Sequence, residues 1–320
     1  MPTGFLTTAL AVALAGGVAS ALLYVSVQSG GFGALILVYL APLPLFVTGL
    51  WLGTTAVAVA GAIAAAVVLL ATGSPLATAG YAATGVLPAV LVVRQALLAR
   101  PAVDGGGDGI EWYPPGHLLM GLTGLGIAGI LIAVLLASGE PGGLEAMVRE
   151  MLRGMAEQFA PEGEPPPDEA FGFASAMPGI MAVSWLLMTI VNATLAQGLL
   201  MRFGRNRRPP MRLAELELPA WAPPAFAVAV LGAMALPGMA GFVALNAAIV
   251  LALPFAFAGL AVVHVFAARQ RSRTALLVGF YLFLFLFGWP IVIMVGLGVI
   301  EQWMGLRRRM RAAGSDQEDE

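Results

Sequence analysis

Among the polar residues within the long apolar stretches of this sequence, three could bind a ligand: Asn192, Asn246 and His264. A carboxamide surrounded by apolar residues needs hydrogen-bond partners, which can be a ligand or the backbone of a neighbouring helix. A histidine can bind a ligand or sense pH, or it can bond to a nearby carbonyl. Both interpretations are open for each residue, and we treat all three as candidate substrate-binding residues.

Two prolines could shape a site for such a ligand. Pro42 and Pro44 lie within the apolar run 32–52, and a proline inside a helix removes a backbone donor and kinks the helix. In a membrane, broken helices are tolerated where they are buried in protein or line a cavity, as in many transporters. We therefore predict a broken helix, which is either a structural kink or part of a substrate-binding cavity.

The sequence lacks the residues of the common catalytic, cofactor and metal sites. It contains no cysteine and no lysine, which excludes thiolate nucleophiles, zinc–sulfur sites and catalytic or phosphate-binding lysines. The motifs G-x-S-x-G and H-E-x-x-H are absent, and His117 has no evident second ligand. We predict no enzyme, no cofactor and no metal site.

The composition places the candidate residues in a membrane. Hydrophobic residues make up 59% of the 320 residues and charged residues only 11%, whereas a soluble domain has about 25% charged residues. Apolar runs of about 20 residues can each cross the hydrocarbon core as a helix. We predict an all-α polytopic transmembrane helix bundle of about eight to ten membrane segments, including broken or re-entrant helices, with apolar runs at 4–27, 32–52, 54–72, 76–98, 115–137, 174–201, 222–238, 241–268 and 274–304.

The arginines indicate the orientation of the bundle. They cluster at 94–100, 202–212, 269–273 and 307–311, and short arginine-rich loops stay on the cytoplasmic side. Because two of these clusters flank the run 274–304, that run must cross twice or dip in and return, with a break at Gly288–Pro290. We predict a bacterial inner-membrane protein with both termini in the cytoplasm and, since the net charge is −2, no nucleic-acid partner.

One bundle over 1–304 is predicted, with an outer acidic insertion at 139–172, a flexible linker at 101–113 and a basic cytoplasmic loop at 202–220. Residues 305–320 form a basic and then acidic cytoplasmic tail. The insertion should contain an amphipathic helix that packs on protein rather than lipid, because its polar face is acidic. Its apolar face consists of Leu144, Met147, Val148, Met151, Leu152, Met155 and Phe159.

The first apolar run contains small residues at four-residue spacing: Ala9, Ala13 and Gly17. Such a row lets helix backbones approach closely, and we treat it as a candidate face for docking a partner. The high alanine content of the whole chain is the alternative explanation.

Short motifs across most of the chain resemble the YybS-like family, bacterial multipass membrane proteins assigned to a domain of unknown function. They are APLPLFVTGLWLG at 41–53, LPAW at 218–221, GLAVVH at 259–264 and GVIEQW at 298–303 with Arg307 and Arg308, although family members tend to have aspartate in place of Glu301. That family is distantly similar to the substrate-binding membrane subunits of energy-coupling-factor transporters, which dock a partner through small residues on their first helix. The resemblance implies a helix bundle and a role in transport, and it identifies no substrate.

Two functions are consistent with these features. The first is a small-molecule-binding or transport-associated membrane subunit that needs a membrane or ATPase partner for energy, because the apolar helices hold no carboxylate except Glu301 near one end. The second is a non-transporting scaffold or assembly factor of the bacterial cell envelope. A binding subunit should have a cavity at Asn192 or Asn246, whereas a scaffold should be solid there.

Overall fold

The computed structural model describes residues 3–101, 109–158 and 168–310, which are predominantly helical. Seven helical stretches in this part of the chain are long and apolar enough to cross a membrane, and three shorter apolar helices accompany them. The predicted all-α polytopic transmembrane bundle is thereby confirmed. The helices are α1 Thr3–Val25, α2 Gly31–Tyr39, α3 Leu43–Leu52, α4 Thr54–Thr72, α5 Pro75–Tyr81, α6 Leu87–Ala96, α7 Pro115–Leu136, α8 Gly143–Glu157, α9 Met177–Arg202, α10 Ala222–Ala235, α11 Gly238–Ala268, α12 Arg273–Phe287 and α13 Pro290–Met304.

The described residues fall into two compact units. The first unit lies within 1–118 and 185–211, and the second within 119–184 and 212–320. The single bundle over 1–304 stays a prediction.

In the first unit, the second apolar run is broken at the prolines, as predicted. α2 ends at Tyr39 and α3 begins at Leu43 after a three-residue turn. Polar side chains from other helices bond to the carbonyls at this break. Asn192 Nδ2 donates to Tyr39 O at 2.7 Å, and Ser20 Oγ donates to Ala41 O at 2.5 Å. Partners within the protein therefore satisfy the backbone of the broken helix.

The fourth apolar run contains a π-helical turn, Ala82–Val86, between α5 and α6. A π turn is wider than an α turn and interrupts the regular ladder of backbone hydrogen bonds. The Trp185 indole inserts a donor there, because its Nε1 lies 2.8 Å from Thr84 O. The irregular turn is thus held by a second helix of the same unit.

The small-residue row of α1 packs inside the first unit. Ala13 and Gly17 are buried and Ala9 is half-buried, and a Cβ on Gly17 would collide with the backbone carbonyl of Ala60 in α4. The row therefore allows the close helix approach that its spacing predicts. A partner could dock on Gly17 only by displacing α4, and partner docking on this row stays a prediction.

A short hairpin corrects the predicted linker at 101–113. Strands β1 (Ala99–Pro101) and β2 (Ile110–Trp112) pair antiparallel, with Arg100 opposite Glu111. The guanidinium binds the carboxylate through two hydrogen bonds, at 2.8 and 3.1 Å, and such cross-strand ion pairs favour pairing. Residues 102–108, with the glycine-rich part of the linker, lie outside the described residues.

α11 is the centre of the second unit. α10 and α13 both pack on it, and α13 does so at backbone contact. A Cβ on Gly259 would overlap the carbonyl of Met294, and a Cβ on Gly298 would overlap the carbonyl of Phe255. The absence of side chains at these two glycines is what allows the close approach.

A sharp turn separates α12 from α13. Gly288 has a φ of +67°, which glycine adopts without steric cost, and Pro290 opens α13. The predicted break at Gly288–Pro290 is confirmed, while a double crossing stays a prediction. α12 has no buried residue, so it lies on the outside of its unit.

The acidic insertion contains the predicted amphipathic helix, α8. Val148 is buried, whereas Met147, Met151 and Met155 are about half exposed, so the apolar face is only partly covered. α8 contacts the short helical turns at 137–139 and 168–176 of the same unit. Phe159 and the acidic end of the tail from 311 onward lie outside the described residues.

Candidate functional site

His264 lies in a positively charged cleft of the second unit. The last turn of α11 forms one wall, the turn 269–272 and the start of α12 a second, and the segment 212–215 a third. The cleft has a volume of about 700 Å³ and is lined by Arg212, Leu213, Ala214, Glu215, His264, Val265, Ala268, Arg269, Arg273 and Met310. We call it the arginine–histidine cleft.

Guanidinium groups give the cleft its charge. Arg212, Arg269 and Arg273 each bring a positively charged guanidinium group to the lining, and the one carboxylate in the lining, Glu215, lies 3.5 Å from Arg212. In the part of the chain that the structure describes, Arg269 and Arg273 form no ion pair. Three guanidinium groups against one carboxylate leave two positive charges in excess, so the cleft favours anions.

His264 is fixed by two hydrogen bonds. Its Nδ1 lies 3.0 Å from Leu260 O and its Nε2 lies 3.4 Å from the Tyr281 hydroxyl. A carbonyl only accepts, so Nδ1 must carry a proton, and in the neutral ring Nε2 then accepts from the tyrosine. The two rings also meet edge to face, with centroids 5.9 Å apart. His264 therefore ties α11 to α12 at the edge of the cleft.

A buried ion pair supports the wall of the cleft that contains Ala214. Glu301 and Arg307 are both almost fully buried, and Arg307 Nε donates to Glu301 Oε1 at 2.7 Å. The Arg307 backbone N–H donates to the other carboxylate oxygen at 3.1 Å. Arg307 Nη1 donates to Ala214 O at 3.0 Å. The pair thus connects the end of α13 to the segment that carries Arg212 and Glu215.

Other arginines of the loop 202–212 have structural contacts in the first unit. Arg208 is buried and donates to the carbonyls of Ala96 and Tyr113, at 3.1 and 2.9 Å. Burial lowers the pKa of Arg208 from its ordinary value. The Arg205 guanidinium lies over the Trp51 ring at 4.8 Å, a cation–π contact. These two arginines hold the loop in place.

Asn246 links two helices. It is fully buried; its Oδ1 accepts from Gly179 N at 2.6 Å, and its Nδ2 donates to Ser175 O and Phe242 O, each at 2.8 Å. All these contacts are to backbone groups, so the amide holds α11 against the start of α9. It lies 18 residues before His264 on α11, which corresponds to about 27 Å, and one small ligand cannot reach both.

Asn192 lies at the helix break of the first unit, close in structure to Pro42. It is buried, and its Nδ2 donates to Tyr39 O and to Met188 O. Its Oδ1 is buried without a hydrogen-bond partner in the described residues. Pro42 is buried and Pro44 half-buried, so this region is packed rather than open. Substrate binding by Asn192, Asn246, Pro42 or Pro44 stays a prediction.

The sequence contains the cleft arginines but does not show that they converge. Arg212, Arg269 and Arg273 indicate only which side of the membrane their loops occupy. One available signal is that three arginine-rich segments share one predicted side, which places several cations near the end of α11. Among the described residues, no group of three or more histidine, aspartate and glutamate side chains could hold a metal ion.

Comparison with known proteins gives one finding. No curated protein and no solved structure matches the chain, so the YybS-like name and the likeness to energy-coupling-factor subunits stay predictions. Residues 145–301 match the model of a family described as "Predicted membrane protein (DUF2232)". The match includes every lining residue of the cleft except Met310. Over that part of its length, the chain is similar to an uncharacterised family of membrane proteins.

Proposed function

We propose that this protein is a small-molecule-binding membrane subunit whose ligand is an anion held in the arginine–histidine cleft. The observation that carries the proposal is the convergence of Arg212, Arg269 and Arg273 beside His264. Two of these guanidinium groups have no carboxylate partner among the described residues. Each guanidinium offers several donors in a planar fork that matches phosphate or carboxylate oxygens.

The cleft is expected to lie at the cytoplasmic face of the membrane. The cleft is built from arginine-rich segments, and such segments stay on the cytoplasmic side of a bacterial inner membrane. The inner-membrane location and the cytoplasmic termini belong to the proposal and depend on the same arginine distribution. A second prediction of that orientation is that the acidic insertion lies outside the cell.

Transport of the ligand would require a partner that supplies energy. A proton-driven carrier usually keeps an embedded carboxylate that can gain and lose protons. Glu301 is the carboxylate nearest the cleft within the apolar helices, and it is held by Arg307 through two hydrogen bonds. Because this ion pair has a structural task, we expect energy to come from another subunit, such as an ATPase.

A scaffold or assembly factor of the cell envelope is the alternative function. The packing around Asn246 favours it, because all hydrogen bonds of this amide go to backbone groups of its own unit. A scaffold needs such solid helix contacts and has no need of unpaired cations around a cleft. In the binding function the cleft arginines hold an anion, whereas a scaffold does not require them.

Native mass spectrometry of the full chain, purified in a mild detergent, tests the proposal. We expect an anionic molecule to co-purify with the natural protein. The double variant Arg269→Gln/Arg273→Gln should lose it, because both unpaired charges are removed. Arg271→Gln is the matched control: Arg271 lies between the two in sequence, is exposed, and is not among the lining residues of the cleft. This control should keep the bound molecule.

Two outcomes would contradict the binding function. The natural protein could be empty while envelope proteins co-purify with it, which would support the scaffold. The bound molecule could also be retained by the double variant, which would place it elsewhere in the protein. Since the substituted residues Arg269, Arg271 and Arg273 are all exposed, we expect the variants to fold normally. Size-exclusion chromatography checks this.

A further inference from the structure

A shallow apolar surface adjoins the arginine–histidine cleft and runs along one face of α12. It is lined by Arg273, Thr274, Leu277, Val278, Tyr281, Leu282 and Phe285 and has a volume of about 630 Å³. Arg273 lines both the groove and the cleft, and Tyr281 in the groove contacts His264 in the cleft. A charged compartment and an apolar one therefore adjoin, and we call the second the α12 groove.

The α12 groove has the length and exposure expected for contact with one lipid leaflet. From Arg273 to Phe285 the helix rises about 18 Å, while half of the hydrocarbon core measures about 15 Å. Phe285 is 88% exposed and Leu282 63% exposed. Large apolar side chains left open along a helix of this kind suit contact with hydrocarbon rather than with water.

From this geometry we infer that the ligand is a lipid with a phosphate monoester headgroup, its phosphate in the arginine–histidine cleft and its hydrocarbon chain in the α12 groove. The inference rests on the proposed function and names the class of ligand. A phosphate monoester carries a charge of about −1.5 to −2 at neutral pH. That charge matches the two guanidinium groups, Arg269 and Arg273, that lack an ion-pair partner among the described residues.

The charge match also distinguishes between lipids. A phosphodiester headgroup carries a single negative charge and would leave one of the two arginines uncompensated. A carboxylate has the same deficit. A free phosphate would satisfy the arginines but would leave the α12 groove unused. The monoester lipid is the ligand that uses both compartments.

Lipid titration monitored by native mass spectrometry tests this inference on the full chain in detergent. The probes are dioleoyl phosphatidic acid, a monoester, dioleoyl phosphatidylglycerol, a diester, and inorganic phosphate. We expect the monoester lipid to bind roughly tenfold more tightly than the diester, because one more charge-assisted contact is made. The Arg269→Gln/Arg273→Gln variant should lose roughly tenfold or more in affinity for the monoester, and Arg271→Gln should not.

A second pair of variants tests the α12 groove. Leu282→Trp fills the groove and should weaken lipid binding without changing the binding of inorganic phosphate. Leu286→Trp is the control, since Leu286 is equally open to the outside but does not line the groove. It should leave both probes unaffected. Both positions are exposed, so neither change disturbs a core.

Each contrary result has a separate meaning. Equal binding of monoester and diester lipids, or equal loss in Arg271→Gln, would overturn the inference in favour of a diffuse positive surface. Inorganic phosphate that binds as tightly as the lipid, with no effect of Leu282→Trp, would overturn it too but would leave the proposed anion-binding function intact. Failure of every probe, together with an empty purified protein, would overturn both.

Discussion

Removal of the Glu301 carboxylate should destabilise the protein strongly. Glu301→Ala would leave the guanidinium of Arg307, which is only 6% exposed, without its ionic partner. Arg307 would lose the 2.7 Å bond at its Nε, and its backbone N–H would lose the 3.1 Å bond. Loss of one partner of a buried ion pair costs about 3–5 kcal/mol, most of which is the cost of leaving the other charge buried and unpaired.

A paired substitution separates the interaction from the burial cost. Glu301→Met/Arg307→Met removes both charges, so no buried ion remains, and apolar replacement of such pairs is often close to neutral. We expect the double variant to recover most of the stability that Glu301→Ala loses. The remaining deficit should be about 1–3 kcal/mol, because the 3.0 Å hydrogen bond from Arg307 to Ala214 and the 3.1 Å hydrogen bond from the Arg307 backbone N–H to Glu301 are also lost.

The assay is unfolding in mixed micelles titrated with a denaturing detergent, with helix content measured by circular dichroism. The free energy of unfolding is compared among the natural protein, the two single variants Glu301→Ala and Arg307→Met, and the double variant. A loss below about 1 kcal/mol in Glu301→Ala would refute the buried-pair reasoning. So would a double variant that is less stable than Glu301→Ala. Since Arg307 holds the segment 212–215, ligand binding in the cleft should weaken together with stability in Glu301→Ala.

Three further predictions concern packing, hydrogen bonding and topology. Gly298→Ala should destabilise the second unit by about 1–3 kcal/mol through overpacking against α11. Gly296→Ala is the control and should leave stability unchanged, because nothing lies near the new Cβ. Thermal unfolding of the two variants gives the comparison. Asn246→Leu should cost about 1–3 kcal/mol because backbone groups at the start of α9 lose their partner, and equal stability would show that the amide does not join these helices. Reporter fusions after Arg212 and within 162–169 should report opposite sides of the membrane, and the same side for both would overturn the orientation.

Apolar length and proline position made the helices predictable. The break at Pro42 was predictable because the missing donor acts locally, and the break at Gly288 because Gly-Trp-Pro stops a helix whatever surrounds it. The amphipathic helix α8 was predictable for the same local reason, since its residues repeat with the helical period. Such features depend on neighbours in sequence, which the chain displays directly.

Contacts between distant residues were not predictable. The sequence predicts a flexible linker at 101–113, whereas in the structure Arg100 pairs with Glu111 and the ends of this segment form a hairpin. The convergence of Arg269 and Arg273 with Arg212 depends on how the chain packs around α11, which no local pattern encodes. Asn246 is a further example. Its position in an apolar run predicts that the amide needs hydrogen-bond partners, but it does not identify those partners.

The π turn at Ala82–Val86 has a consequence for chain length. A π turn contains one residue more than the α-helix needs for the same rise, and the extra residue is absorbed locally. Deletion of one residue within 82–86 should convert the turn to regular α-helix and leave α5 and α6 facing their present neighbours. The same deletion inside α4 would rotate every later side chain of that helix by about 100° and expose its buried face. Relatives of this protein that are one residue shorter in this segment are therefore expected to keep the fold, provided that the gap falls at the π turn.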